Sequence, residues 1–262
     1  GLAFVQNYLG LPIALILVSA VFIPIYYRLK IITAYEFLGQ RFDQKTRLLG
    51  AGLFLLQRGL AAGITIYAPA IIVSSLLAWP LNPTIVVTGV LVILYTVTGG
   101  TRTVSLTQKY QMLIILAGMT IAFGYVVHGL PEAVSFGDAL YLAGMHDRME
   151  AISFSFDPGE RYTIWTGLIG GTFLALSYFG TDQSQVQRYL AGNSSTASRM
   201  GLMFNAVLKI PMQFCILLLG VLLFVFYLFQ PPPIFFNQSA IAQVAPEIRA
   251  PIEARFSEAF QA

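Results

Sequence analysis

Charged side chains are scarce in this sequence. Only 10% of its 262 residues are Asp, Glu, Lys or Arg, whereas soluble domains carry about 25%. This shortage excludes an ordinary soluble globular domain. The sequence also has only one cysteine, Cys215, which lies in an apolar stretch. A disulfide within the chain and a cysteine-based metal site are therefore excluded.

Motifs of common catalytic chemistry are also missing. The sequence contains two histidines and has no phosphate-binding loop, His/Cys cluster or nucleophile elbow. We therefore predict that the chain is not an enzyme. We also expect no cofactor, no metal centre and no nucleic-acid partner.

Apolar residues, in contrast, make up 56% of the chain and occur in long runs. A membrane helix needs about 20 apolar residues, and six stretches approach or exceed that length. These stretches predict an all-α, multi-pass integral membrane protein in the cell membrane, with the lipid bilayer as a partner. The predicted spans cover residues 9–27, 49–79, 84–99, 110–128, 162–181 and 205–229.

Charge alternates between the connecting segments. The segments after spans one, three and five are basic, whereas the long loop 129–161 is mostly acidic. By the positive-inside rule, the basic segments are cytoplasmic, and 129–161 is an outer loop. Both ends of the chain, including an outer tail over 230–262, are then extracytoplasmic. We also expect a surface helix around 131–145, and an internal piece of a longer protein because the chain opens at Gly1 almost inside an apolar run.

The fifth predicted span combines glycines with a polar end. Gly167, Gly170 and Gly171 interrupt its apolar sequence, and a polar cluster runs from Thr181 to Arg188. In transporters, helices that break inside the membrane present backbone groups to a substrate or ion. Close helix packing through small residues is the alternative interpretation, and the spacing alone does not separate the two.

Several stretches resemble the sodium/solute symporter family. They are FIPIYYRLKIITAYEFLGQRF (22–42), IYAPAIIVSS (66–75), ILYTVTGGTRTVSLTQKYQM (93–112), SYFGTDQSQVQRYL (177–190) and VLKIP (207–211). The resemblance covers nearly the whole chain. It implies a leucine-transporter-type inverted-repeat fold that is incomplete, with six spans corresponding to core helices two to seven.

The resemblance also implies positions for a solute site. Tyr178 falls where sugar-transporting members keep an aromatic inner gate, although it could instead belong to the interfacial aromatic belt. Ala175 replaces an asparagine that binds sugar in such members, which disfavours a sugar. Lys209 falls at a substrate-side lysine but could also extend to the membrane surface. Gly171 and Leu174 share a helical stripe with Ala175 and Tyr178, so we expect this face to line the site.

Two further charged residues have alternative interpretations. Asp182 could be an ion ligand, but we favour a structural ion pair with Arg188 or Arg58. Arg58 lies inside span two and needs protein, water or an anion nearby because it stays protonated. Its partner could be Asp182 or a substrate carboxylate, which would favour monocarboxylates.

One position departs from the family pattern. Sodium-coupled members commonly have an aspartate after the double glycine, within a Thr-Asp-x-x-Gln pattern. Here the matching segment is Thr107-Gln108-Lys109-Tyr110-Gln111, so Gln108 stands at the position of the acid. Na⁺ as the coupling ion is implied by the resemblance alone, and a cation path through Gln108 is in question.

The resemblance predicts a secondary active transporter. It would couple a cation, Na⁺ by the family pattern, to symport of a small organic solute by alternating access. The alternative is a sensory membrane module of the same fold, fused to a signalling domain such as a histidine kinase. The sequence identifies neither the solute nor the stoichiometry.

Overall fold

The computed structural model describes residues 1–157, 159–190, 192, 194–234, 241 and 244–261. All regular secondary structure within these ranges is helical. We number the helices in chain order. They are α1 (Leu2–Leu29), α2 (Ala34–Arg41), α3 (Gln44–Leu77), α4 (Leu81–His128), α5 (Phe136–Met145), α6 (residues 166–181), α7 (Gln183–Leu190), α8 (Ser195–Phe229) and α9 (Pro246–Gln261).

Five helical segments are long and apolar enough to cross a membrane: α1, α3, both halves of α4 (Leu81–Gly100 and Thr103–His128) and α8. They correspond to predicted spans one, two, three, four and six. The segment predicted as the fifth span is α6, which is assembled from three short helical pieces rather than one regular helix.

The junction between the third and fourth predicted spans differs from expectation. The sequence predicted a basic connecting segment there, but Lys109 lies inside the helical segment Thr103–His128. The direction changes at Gly100, whose φ is 58° and ψ is −161°. Glycine adopts this conformation without a Cβ clash, so the chain bends within one or two residues and needs no loop.

The chain forms two compact units. Unit 1 comprises Gly1–Leu56 and Leu130–Val225, and unit 2 comprises Gln57–Gly129 and Phe226–Ala262. The core of unit 1 is a cluster of buried apolar side chains from α1, α2, α6, α7 and α8. Its members are Leu11, Ala14, Leu15, Val18, Ile23, Tyr26, Ile31, Ala34, Ala175, Val186, Tyr189, Leu202 and Ala206.

Helices α1 and α6 of unit 1 pack at backbone distance. A Cβ added at Gly167 would overlap the Gln6 carbonyl, and one at Gly10 would overlap the backbone of Thr172. A Cβ at Gly171 would lie 2.6 Å from the Asn7 carbonyl oxygen. Gly167 and Gly171 therefore serve close packing, which was the alternative interpretation of the sequence, whereas a Cβ at Gly170 would meet open space.

Buried polar side chains also hold unit 1 together. Gln6 is fully buried; its Nε2 donates to the Tyr162 carbonyl at 3.0 Å, and its Oε1 accepts from the Ser153 amide at 2.9 Å. The Tyr26 hydroxyl donates to the Gly180 carbonyl at 2.6 Å. These bonds satisfy groups that would otherwise be costly to bury and fix α1 against distant parts of the chain.

The remaining predicted segments are short helices and a tail. A helix was expected around 131–145, and α5 begins after Ser135, whose side chain and that of Asp138 form a reciprocal capping box. In the predicted outer tail, α9 includes Pro251. Residues 235–240, 242–243 and 262 of that tail lie outside the described residues.

Candidate functional site

A cavity of about 620 Å³ lies within unit 1. Its size is in the range of small-molecule sites, about 300–1,000 Å³. Four helices contribute to it: the start of α1, the middle of α6, α7 and α8. The lining residues are Phe4, Asn7, Tyr8, Leu11, Gly171, Leu174, Ala175, Tyr178, Phe179, Gln185, Arg188, Asn205 and Lys209.

The α6 segment provides the central wall of the cavity. A regular α-helical piece, Gly171–Leu176, lies between π-helical turns at Thr166–Gly170 and Ser177–Thr181. Such π turns are rare and are frequent at functional sites. The stripe that the sequence predicted (Gly171, Leu174, Ala175 and Tyr178) lines the cavity throughout.

The helical path is interrupted directly after α6. Asp182 adopts an extended conformation (φ −72°, ψ 117°), and α7 begins at the next residue. The Asp182 carboxylate accepts hydrogen bonds from the amide and hydroxyl of Ser184 at 2.9 and 2.7 Å. It therefore caps the start of α7. It is not one of the cavity-lining residues.

Tyr178 is held at the cavity by a neighbouring amide. The Gln185 Nε2 donates to the Tyr178 hydroxyl at 2.7 Å, and the Tyr178 ring contacts Phe179 edge to face at 5.0 Å between centroids. Gln185 is only 9% exposed, whereas Tyr178 is 42% exposed. The bond joins α6 to α7 across the interruption, so it links the position of Tyr178 to that of α7.

Lys209 approaches the cavity from α8. Its ammonium group lies 5.7 Å from the centroid of the Tyr8 ring, within the range of a cation–π interaction. Asn205 is one helical turn earlier and lines the same cavity, as the four-residue spacing on a helix allows. The four-residue spacing of Asn205 and Lys209 is visible in the sequence. It indicates a shared site only when Lys209 is known to line a cavity.

A second cavity of about 340 Å³ adjoins the same residues. Phe179, Gln185, Arg188 and Asn205 line both cavities. The rest of its lining comes from α7, the turn after it and the start of α8: Tyr189, Gly192, Ala197, Ser198, Gly201 and Leu202. Burial, with a smaller contribution from nearby Tyr26 and Asp182, raises the pKa of the Tyr189 phenol, so Tyr189 lines this cavity as a neutral group.

The structure brings together some of the predicted site residues and not others. Gly171, Ala175, Tyr178 and Lys209 share one cavity. Arg58 and Gln108 belong to unit 2, and their roles stay predictions, as does the pairing of Asp182 with Arg58. Among the described residues, Arg188 forms no ion pair. Sequence reasoning missed four further residues that line the cavity: Asn7, Tyr8, Gln185 and Asn205.

A partly polar cavity beside an interrupted helix is an arrangement that occurs at the sites of secondary transporters. Comparison with known proteins agrees. The chain belongs to the sodium:solute symporter family, whose model matches residues 1–250. The resemblance found in the sequence is thereby confirmed.

Similar proteins include cotransporters of two kinds. The chain is 34% identical to the human sodium/iodide cotransporter over 248 residues, which is 94% of this chain and 38% of that protein. It is 35% identical to the Xenopus laevis sodium-coupled monocarboxylate transporter 1, covering 87% of this chain and 36% of that protein. The chain therefore spans less than half the length of these relatives.

A solved structure has the same fold. A Na⁺-coupled sialic acid symporter in a substrate-bound, outward-open state matches with a TM-score of 0.73 and 24% identity, over 92% of this chain and 52% of that chain. This likeness confirms the predicted leucine-transporter-type fold.

Proposed function

We propose that this chain is part of a secondary active transporter that couples Na⁺ to the symport of a small organic solute. The observation that carries the proposal is the cavity of unit 1, which joins polar and apolar walls at an interrupted helix. Its volume suits a small molecule. Family membership and the cotransporters among the relatives support the coupling to Na⁺.

Tyr178 is proposed as the inner gate of this cavity. It lines the first cavity but not the second, and Gln185, which holds its hydroxyl, lines both. That hydrogen bond couples the Tyr178 ring to α7. Alternating access then requires the ring to move as α7 shifts, so that the solute passes between the two cavities.

Na⁺ itself has no proposed ligands within the cavity. None of its lining residues is a carboxylate, although carboxylate and carbonyl oxygens suit a hard cation. Gln108 remains the candidate for a cation path, and its neutral amide would attract a cation less than the aspartate that relatives commonly carry there. Gln108→Asp is therefore expected to strengthen the Na⁺ dependence of transport.

Transport can be tested in the full-length protein reconstituted into vesicles. Uptake of radiolabelled propionate, iodide, glucose and proline is measured with and without an inward Na⁺ gradient. We expect a Na⁺ gradient to drive accumulation of at least one of these solutes. Tyr178→Ala should reduce that uptake at least tenfold at unchanged protein level, whereas Tyr141→Ala, at an exposed tyrosine of α5 that lines neither cavity, should leave it unchanged. The absence of gradient-driven uptake of all four solutes would contradict the proposal.

We also propose that the basic segments face the cytoplasm, as their charge predicts. On a Cys215→Ala background, cysteines at Lys45 and Arg199 should react with an impermeant thiol reagent only from the cytoplasmic side. A cysteine at Glu150 should react only from outside. Labelling of Glu150→Cys from the cytoplasm would overturn this orientation.

The alternative of a sensory module gains no support. The relatives described above are cotransporters and a symporter, and no feature of the cavity favours signalling over transport.

A further inference from the structure

The charged side chains of the main cavity all have the same sign. Arg188 and Lys209 line it, and none of the other lining residues is acidic. The remaining polar groups are the amides of Asn7, Gln185 and Asn205 and the hydroxyls of two tyrosines. Amide groups can donate hydrogen bonds to an anion, so the whole polar surface of the cavity is compatible with bound negative charge.

The described part of the chain supplies no carboxylate partner to either cation. Among the described residues, no ion pair involves Arg188 or Lys209. The Tyr8 ring near Lys209 offers a weak attraction, worth about 0.5–1 kcal/mol at exposed sites, but it does not remove the charge. Lys209 lies within the apolar helix α8 and is partly buried, where a positive charge without a partner is costly; an anionic solute would supply that partner.

The apolar residues of the lining indicate which kind of anion would fit the cavity. Phe4, Leu11, Leu174 and Phe179 form apolar walls beside the polar groups, so part of the solute should be apolar. Arginine presents a planar pair of donors that fits a carboxylate.

We infer that this cavity binds a small organic anion, a short-chain carboxylate, and that Lys209 and Arg188 provide its charge recognition. The inference rests on the proposed function and names the solute class of the same site. A sugar fits less well, because Ala175 on the central wall has a methyl side chain that cannot hydrogen-bond a hydroxyl.

Binding can be measured separately from transport. The thermal stability of the purified full-length protein is recorded with increasing propionate and, as a neutral analogue of nearly the same shape, propionamide. We expect propionate to raise Tm saturably, and propionamide to have no effect. Equal stabilisation by both compounds, or by neither, would overturn the inference.

Charge variants identify the groups involved. Lys209→Gln and Arg188→Gln should each raise the half-saturating propionate concentration at least tenfold. Lys209→Arg keeps the positive charge and should stay within threefold of the native protein, which shows that α8 still folds. Arg199→Gln is the matched control, because Arg199 is an exposed basic residue of the same helix that lines neither cavity. An unchanged response in Lys209→Gln and Arg188→Gln would overturn the assignment.

Uptake distinguishes failure of this inference from failure of the proposed function. Na⁺-driven uptake of propionate that is lost in Lys209→Gln supports both. Na⁺-driven uptake of glucose or proline, without competition by propionate or iodide, contradicts the anion inference and leaves symport standing. Propionate binding without any Na⁺-driven uptake supports the anion inference and contradicts the proposed symport. Iodide uptake without propionate uptake would show that the solute is an inorganic anion and would overturn the inference of a carboxylate.

Discussion

The two compact units have similar apolar helices but bury them very differently. In the most apolar window of α1, in unit 1, 39% of residues are buried within the structure, whereas in both halves of α4, in unit 2, only 6% are. Hydropathy does not explain this contrast, since the mean values are 2.3 and 1.8. In unit 1 the buried stretches coincide with small residues in close backbone contact and with polar groups that have partners.

Small residues and buried amides occur together where burial is high. Gly10, Gly167 and Gly171 let α1 and α6 approach at backbone distance, and Gln6 bonds across the same region. Several glycines of unit 2, such as Gly63 and Gly118, have open space around the missing side chain. Glycine content therefore does not indicate close packing by itself. It does so where another backbone lies opposite.

The largest predicted effect follows from this difference between glycines. Gly171→Leu should destabilise the protein by about 3 kcal/mol or more, because even its Cβ would lie 2.6 Å from the Asn7 carbonyl oxygen. Gly63→Leu is the control in unit 2, where no atom is within 4 Å of the added Cβ. Thermal unfolding of both full-length variants in detergent measures the difference. An equally large loss of stability in Gly63→Leu would contradict the predicted difference between the two glycines. It would also show that this face of unit 2 is packed in the complete protein.

A smaller effect is expected from the buried amide. Gln6→Ala leaves the Ser153 amide and the Tyr162 carbonyl without their partner, which should cost about 1–3 kcal/mol. Gln111→Ala, at an exposed glutamine of α4, should change stability by less than about 0.5 kcal/mol. The two variants are compared by the same unfolding measurement. Equal losses would mean that buried polar contacts do not set unit 1 apart.

The sequence predicted the membrane class, the helices and one face of the site. The stripe from Gly171 to Tyr178 follows helical spacing, and Lys209 came from the resemblance; all of these line one cavity. Their roles in transport stay predictions. These features were accessible because apolar runs and three-and-four spacing are local properties of a sequence.

Other parts of the site depend on contacts that no local pattern encodes. Asn7 and Tyr8 reach the cavity only because Gly10 and Gly171 allow α1 to lie against α6. The bond between Gln185 and Tyr178 forms across the interruption at Asp182. The sequence predicts that span three closes at the double glycine, whereas the structure bends at Gly100 and continues as a helix.

Tyr26 of α1 tests how much a single hydroxyl contributes to the difference between the two units. Tyr26→Phe removes the 2.6 Å hydrogen bond to the Gly180 carbonyl and should cost about 1 kcal/mol. Tyr110→Phe removes the hydroxyl of an exposed tyrosine in unit 2 and should be neutral within error. Both changes keep the ring, so a difference in unfolding temperature reports the hydroxyl alone. No difference would assign the stability of this contact to the ring.

The smallest effect separates a hydrogen bond between helices from one within a helix. The Thr172 hydroxyl is within 3.2 Å of the Gly10 carbonyl oxygen on α1 and also bonds the Leu168 carbonyl of its own helix. Thr172→Val should cost about 0.6 kcal/mol, the average for such bonds between membrane helices. The Thr120 hydroxyl of α4 bonds only the Leu116 carbonyl one turn earlier. Thr120→Val should therefore have almost no effect, because that carbonyl is on the same helix and no contact between helices is lost. If Thr172→Val and Thr120→Val lowered stability equally, the approach of α1 to α6 would depend on glycine packing alone.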